Sequence, residues 1–242
     1  MPKVQLLKDS LRKLTPGEIM PQFYEYNWPA AIANGISLFQ AITENIPLQL
    51  NGSYVNKTME AVNFVDDFGI VPRITLNSAS DLRGINFLIT GYQNGVFINE
   101  TLAGPNANTT VTSVNCFDTL QQIIPSGTSG DTVQAGVAPV GYFPIILLNT
   151  VKTNTSSISY ALNMVEAPAN PATYQVFLSL KNNLGMGKYD DLTNQTNGNF
   201  AATAAAATGS ALIQYNSLAS NLLIKIGPNA NNSPLKAQFL QS

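Results

Sequence analysis

Residues 85–106, INFLITGYQNGVFINETLAGPN, decide the fold class of this chain. Two runs rich in β-branched and aromatic residues, 85–92 and 96–102, flank the dipeptide Asn94-Gly95. An Asn-Gly pair suits the positive φ angles of a type I′ turn, which joins antiparallel strands tightly. The stretch therefore predicts a β-hairpin.

Short β-prone runs separated by turn residues continue on both sides of this hairpin. Runs at 36–42 and 46–50 predict a second hairpin. Further strands are expected at 62–71, 73–76, 109–113, 117–124, 132–140, 158–165, 174–180, 222–226 and 235–240. Many short strands with frequent turns favour sandwiches or barrels over parallel α/β sheets. We therefore expect an all-β fold with one or two β-sandwich or jelly-roll-like modules.

Changes in composition predict three segments. Residues 1–30 form an N-terminal arm, extended or a short helix, followed by an aromatic segment; 31–141 form a first β module; 142–242 form a second one with a long Ala/Asn-rich loop at 189–209. The arm and the aromatic segment supply the candidate residues for contact with a partner, which are Lys3, Lys8, Arg12, Lys13, Tyr24, Tyr26 and Trp28. The aromatic residues either close one end of the core or anchor a neighbouring subunit. The loop is predicted to make contacts as well.

The surface of this protein must owe its polarity to uncharged groups. The chain is 45% hydrophobic but only 11% charged, less than half of the roughly 25% in an ordinary soluble domain. Asn, Thr, Ser and Gln take the place of ions, and neutral amides and hydroxyls lose less on desolvation than charges do. Such a surface suits extensive, hydrated contacts between subunits. An ordinary secreted β protein is the alternative.

Charge and hydropathy argue against nucleic acid and membrane as partners. The formal net charge is −2 with a pI near 5.0, so we expect no broad basic face that neutralises phosphates. Residues 84–151 contain no Lys or Arg. No apolar run reaches the roughly 20 residues that span a bilayer. The lone Cys116 cannot form an internal disulfide, which fits a protein made in a reducing cytoplasm.

Residue types that most enzymes need are missing from this chain. It has no histidine, which excludes Ser-His-Asp and Cys-His catalysis and removes the commonest nitrogen ligand of metals. Cys116 is expected to be a small buried apolar residue. The carboxylate pairs Asp66-Asp67 and Asp190-Asp191 are adjacent, and neighbours on a strand point to opposite faces, so we interpret them as turn-capping or exposed acids. We expect no enzyme activity, no cofactor and no metal.

Two stretches carry a resemblance to a known class of proteins. Residues 78–137 run through ITG, a turn, ETL, GPN and then Thr-rich strands, and residues 222–241 read LLIKIGPNANNSPLKAQFLQ. Both stretches, about a third of the chain, resemble virion proteins of tailed bacteriophages. The resemblance implies β-sandwich modules that supply binding surfaces. It carries over no functional residue, because the matched motif concerns folding.

These observations lead to one expected function and two alternatives. We expect a capsid decoration or cement protein that binds and stabilises neighbouring capsid subunits. Its partners would be the major capsid protein or other virion proteins, and it would form a homo-oligomer in a virion assembled in the host cytoplasm. The first alternative is a neck, tail or baseplate component. The second is a host-glycan-binding tail protein, in which Tyr24, Tyr26 and Trp28 stack on sugars.

Overall fold

A computed structural model gives the architecture of the chain. It describes residues 32–55, 61–144 and 222–225 with their side chains and, elsewhere, the backbone of the strands given below. The strands are β1 Gln5–Leu6, β2 Gln22–Trp28, β3 Ser37–Ile42, β4 Val62–Asn63, β5 Val71–Ser78, β6 Asn86–Gln93, β7 Val96–Ala103, β8 Thr109–Cys116, β9 Thr119–Pro125, β10 Ser129–Tyr142, β11 Ile146–Leu147, β12 Ile158–Glu166, β13 Thr173–Ser179, β14 Ala201–Ala202, β15 Ala207–Thr208, β16 Ala211–Ser217, β17 Asn221–Ile226 and β18 Leu235–Gln241. One short helix, α1 Phe64–Phe68, precedes β5.

The described strands form three antiparallel sheets. A five-stranded sheet has the order β1-β2-β18-β12-β16, and a four-stranded sheet has the order β4-β9-β6-β7. A nine-stranded sheet follows the order β14-β13-β17-β10-β5-β8, with β3 also on β10, β11 on β17 and β15 on β13. The predicted all-β, sandwich-like fold class is thus confirmed. The division at residue 141 stays a prediction, although Tyr142 of β10 pairs with Lys225 of β17.

The hairpin predicted around Asn94-Gly95 is present as β6 and β7. Asn94 and Gly95 have φ angles of 49° and 72°, as a type I′ turn requires. The strands pair without interruption from Gln93↔Val96 to Asn86↔Ala103. Local sequence is sufficient for this unit because the turn itself sets its register.

Two local predictions were wrong. Residues 46–50 do not form a strand beside β3, because the Gln40 side chain takes the place of a backbone ladder by bonding both the N–H and the C=O of Gln49. The run 62–71 is interrupted by α1. Asn63 caps this helix by accepting a hydrogen bond from the Asp66 amide, and Gly69 ends it in the left-handed region at φ 68°.

Among the described residues, a hydrophobic cluster lies between the nine-stranded and four-stranded sheets. Ile74 and Leu76 project from β5, while Phe87 and Ile89 project from β6. All four are fully buried, and burial of each such side chain contributes roughly 1.5–3 kcal/mol. The two sheets are therefore the layers of a sandwich, with this cluster as its core.

Tyr54 closes the core beside α1. Its ring packs edge-on against Phe68 at a centroid distance of 4.8 Å and against Phe64 at 6.2 Å. Burial raises the pKa of Tyr54 to about 12, because a phenolate would be poorly solvated there. The loop before the helix is thus held by aromatic packing.

The N-terminal arm contains two strands. β1 pairs with β2, and β2 continues the five-stranded sheet by pairing with β18 from Gln22↔Gln241 to Trp28↔Leu235. The two ends of the chain therefore meet in one sheet.

Candidate assembly surface

The outer face of the four-stranded sheet is the candidate functional surface. Side chains alternate across a strand, so Phe87 and Ile89 of β6 enter the core while their neighbours Leu88 and Thr90 face outward. Directly paired residues of adjacent antiparallel strands share a face. The pairings with β7 and β9 therefore extend this outward set across three strands. We call it the assembly surface.

Three rows of paired residues make up the assembly surface. Ile124, Leu88 and Thr101 form what we call the leucine row. Gln122, Thr90 and Asn99 form the amide row, and Thr119, Tyr92 and Phe97 form the aromatic row. The amide row lies in the middle, so a polar band separates two bands that carry the larger apolar side chains.

Two of the larger apolar side chains of this surface are open to solvent. Phe97 is 53% exposed and Leu88 is 37% exposed. The ring of Tyr92 meets that of Phe97 edge to face, with centroids 5.7 Å apart and an interplanar angle of 75°. Such a pair is worth about 0.5–1.5 kcal/mol, so the two rings support each other on the sheet. They present a firm apolar patch.

No charged side chain projects from the assembly surface. Glu100 is the one charged residue in β6, β7 and β9, and it lies at an inward position of β7. Its two carboxylate oxygens accept hydrogen bonds from the β8 amides of Val114, at 2.6 Å, and Asn115, at 2.8 Å. The surface consequently offers only hydrocarbon, hydroxyl and amide groups.

Glu100 also closes an edge of the nine-stranded sheet. β8 is the last strand of that sheet, and its unpaired N–H groups would otherwise be available to another strand. The carboxylate satisfies two of these groups. It thereby fastens the edge of one sheet to the edge of the other.

Side chains and loop amides close other described edges. On β3, Gln40 bonds the backbone of Gln49, and the amide of Leu38 donates to Oδ1 of Asn51 at 2.9 Å. On β9, the carbonyl of Ile123 accepts from Leu48 N at 2.9 Å. These contacts occupy positions that strand addition would need. At these strands the described sandwich is therefore less open to strand addition.

Asp118 holds the β6–β7 turn beside the aromatic row. Its Oδ2 accepts from the Gly95 amide at 3.2 Å, and its own amide donates to the Tyr92 carbonyl at 2.9 Å. Its Oδ1 is buried and has no hydrogen-bond partner. Burial raises the pKa of Asp118, and the amides of Gly95, Thr119 and Asn94 lower it in part. The residue fixes a turn at an electrostatic cost.

The structure places only some of the predicted partner-contact residues. Tyr24, Tyr26 and Trp28 occupy alternate positions of β2, opposite Phe239, Ala237 and Leu235 of β18. The four basic residues of the arm lie outside the described residues, as does most of the 189–209 loop. Of residues 1–30, the structure describes the strands β1 and β2, which pair in the five-stranded sheet. The contact roles of the arm and the loop stay predictions.

Cys116 and Asp66, which belong to residue types that catalyse reactions in enzymes, have structural positions here. Cys116 is fully buried, which confirms that it acts as a small apolar residue. Asp66 is exposed and lies in the first turn of α1, where its carboxylate accepts from the Asn63 side-chain amide at 2.7 Å. The pair Asp66-Asp67 thus lies in a helix and not on a strand. Asp190 and Asp191 lie outside the described residues.

Within the described part of the chain, no cluster of three or more Cys, Asp or Glu side chains is arranged to hold a metal. None of the helices described there has both the length and the apolar character needed to cross a membrane.

Comparison with known proteins gives little. No family model and no curated protein matches the chain. Among solved structures, it is similar to one described as BuGH86wt in complex with neoagarooctaose, with 11% identity and a TM-score of 0.20 over 91% of this chain and 32% of that one. A variant of that protein in the same complex gives the same values. The chain spans about a third of the length of these proteins, and likeness at this TM-score carries no argument.

Proposed function

We propose that this chain is a structural protein of a bacteriophage particle that decorates the capsid, binding and stabilising neighbouring capsid subunits. The observation that carries the proposal is the assembly surface. A rigid sheet there presents solvent-exposed apolar side chains and no charge. A contiguous patch of exposed apolar groups on a sheet whose other face packs on the core marks a contact surface.

Two further observations support an assembly role. The edges closed by Glu100 and Gln40 let many copies stand side by side without pairing strand to strand. Residues 78–137, which resemble phage virion proteins, contain all three strands of the assembly surface. The resemblance and the surface therefore fall on the same unit of the fold.

A neck, tail or baseplate component is the alternative that uses the same surface in a ring of few copies. The decisive measurement is the number of copies per particle, determined by quantitative mass spectrometry of purified virions. We expect a number comparable with that of the major capsid protein. A small ring of copies would replace decoration by the neck or tail role, and absence from virions would refute both.

The decoration role also predicts binding to preformed shells. Particles that lack the protein should bind the purified chain until the sites are saturated, and should then resist heat-induced rupture better than bare shells. Removal of residues 1–15 should weaken this binding if the arm reaches a neighbouring subunit. Full binding by the truncated, folded chain would show that the arm is dispensable.

A host-glycan-binding tail protein remains a second alternative, because the aromatic row provides rings that a sugar can contact. The exposed apolar groups of the assembly surface are hydrocarbon, from Leu88 and Phe97, with the half-buried Ile124 beside them, which suits protein better than carbohydrate. Binding of the chain to a glycan array, with loss of host attachment by virions that lack it, would favour the sugar role.

A further inference from the structure

We propose that the assembly surface binds the same surface of a second copy of this chain, so that two four-stranded sheets pack face to face about a two-fold axis. This inference rests on the proposed function only for the location of the dimer, which would be the capsid surface. The pairing itself is a property of the purified chain and is tested without a particle.

The order of the three rows makes the assembly surface self-complementary. An interface between identical surfaces places each patch against its own symmetry-related copy. A two-fold axis in the plane of the surface, passing through Thr90 at its centre, lays the amide row on the amide row. The leucine and aromatic rows then meet each other or themselves, depending on the direction of the axis. Either way, apolar bands meet apolar bands.

The absence of charge from the assembly surface also favours a second copy as the partner. A charged residue near the two-fold axis would face its own copy, and like charges brought together lose free energy. The rows contain only neutral side chains, and Glu100 points away to bond β8. The net charge of −2 is small for a chain of this length. Two copies can therefore approach without electrostatic repulsion at the contact.

The area of the surface indicates how tight the pair is. Three rows spaced by two residues extend over about 20 Å, and three strands spaced about 4.8 Å apart are about 14 Å wide, so the surface covers roughly 300 Å². A standard stable interface buries about 800 Å² on each partner. The surface alone should thus give a weak, concentration-dependent dimer. On a shell that concentrates the chain, bivalent attachment would strengthen the association.

The first test is sedimentation equilibrium of the purified full chain over a range of concentrations. We expect a monomer–dimer equilibrium. Phe97→Glu should raise its dissociation constant about tenfold or more, because it places two carboxylates in the apolar contact. Phe39→Glu on β3 is the matched control, since Phe39 is 52% exposed and Phe97 is 53% exposed. It should leave the equilibrium unchanged. Circular dichroism verifies that both variants are folded.

The second test places a thiol at the proposed axis. The chain has a single cysteine, Cys116, which is buried, so Thr90→Cys introduces an accessible thiol close to its own symmetry mate. Mild oxidation should give a covalent dimer of Thr90→Cys and little of a Phe39→Cys control. Disulfide formation requires the two Cα atoms to come within about 7 Å. The product therefore reports pairing through the centre of the surface.

Several outcomes would overturn the pairing. A wild-type chain that is monomeric at every concentration, or a dimer that Phe97→Glu leaves intact, contradicts it. Glycan binding by a monomeric chain that Phe97→Glu abolishes would assign the surface to sugar. Particle binding is measured separately: a Phe97→Glu monomer that still attaches to shells leaves the decoration role standing, whereas a wild-type dimer that never attaches removes that role and keeps the pairing.

Discussion

The two sheets that enclose the core differ in how many faces are covered. In the nine-stranded sheet, Thr75 and Gln134 lie on the face away from the core and are nevertheless buried. In the four-stranded sheet, Leu88 and Phe97 occupy the corresponding outward face and are exposed. Along β5 and β10 the nine-stranded sheet is thus buried on both faces, whereas the four-stranded sheet is buried on one face and exposed on the other. The difference identifies the outer face of the four-stranded sheet as the part of the described sandwich that is exposed for binding.

The largest effect is expected when one aromatic ring is removed from each face of the four-stranded sheet. Phe87→Ala deletes a fully buried side chain from the core, and we expect it to lower the free energy of unfolding by about 3–5 kcal/mol. Phe97→Ala on the outer face should lower it by only about 1 kcal/mol, through loss of the contact with Tyr92. Urea denaturation at low protein concentration measures both. Equal losses would mean that the outer face is also packed.

A second test addresses the covered face of the nine-stranded sheet. A Cβ atom added at Gly136 of β10 would lie 2.1 Å from the Ile32 carbonyl oxygen and 2.6 Å from backbone atoms of Ala33. Gly136→Ala should therefore cost about 1–3 kcal/mol of stability, because backbone must move to admit it. Gly130→Ala on the same strand meets nothing within 4 Å and is the control, with an expected change below about 0.5 kcal/mol. The two thermal melting curves provide the comparison.

A third test removes the hydrogen bonds by which the Glu100 side chain of β7 joins the four-stranded sheet to β8. Glu100→Ala removes the acceptor of two β8 amides and should cost about 1–2 kcal/mol. It should also expose the β8 edge and hasten aggregation in light-scattering assays. Glu100→Gln retains one acceptor oxygen and should have a smaller effect on both quantities. If Glu100→Ala aggregates no faster than wild type, the carboxylate does not protect this edge.

The smallest expected effect is on pH dependence, where two aspartates should act in opposite directions. Asp118 has a pKa raised from its ordinary value of 3.8. Its folded state binds the proton more tightly than the unfolded state, so the free energy of unfolding falls as pH rises from about 4 through the folded pKa. Asp118→Asn should remove this decline.

Asp81 provides the matched contrast. Arg83 hydrogen-bonds its carboxylate and lowers its pKa to about 2. The stability from this pair is present above about pH 4 and is lost as pH falls toward 2. Asp81→Asn should therefore flatten the acid side of the stability profile and leave the higher pH range unchanged. Chemical denaturation of both variants between pH 2 and 7 gives the two difference curves, and slopes of the same sign would contradict this account.

Local signals in the sequence predicted much of the strand content. The Asn94-Gly95 turn fixes its own hairpin through backbone geometry, and no distant residue is needed. The error at 46–50 arose because a glutamine side chain, Gln40, replaced the ladder that a strand would have formed. The helix at Phe64–Phe68 was missed although its signals were present, namely Asn63 with Asp66 three residues later.

The assembly surface was not predictable in the same way. The alternation of Phe87, Leu88 and Ile89 shows that β6 has two faces, but all three residues are apolar and the pattern does not tell which face is covered. That depends on pairing between distant segments, such as β10 with β5 and with β17. The absence of Lys and Arg from residues 84–151 was the one available signal. In the sequence this absence sets the basic N-terminal segment apart, and by itself it does not mark a contact face.

The sheet edges at β8 and β3 are covered by chemically different side chains. The carboxylate of Glu100 covers the edge at β8, whereas the neutral amide of Gln40 covers the edge at β3. A carboxylate can only accept hydrogen bonds, so Glu100 satisfies N–H groups alone, whereas the amide of Gln40 donates to one backbone group and accepts from another. Fibrils that grow from partly destabilised protein should for that reason begin at β8, with β3 still protected.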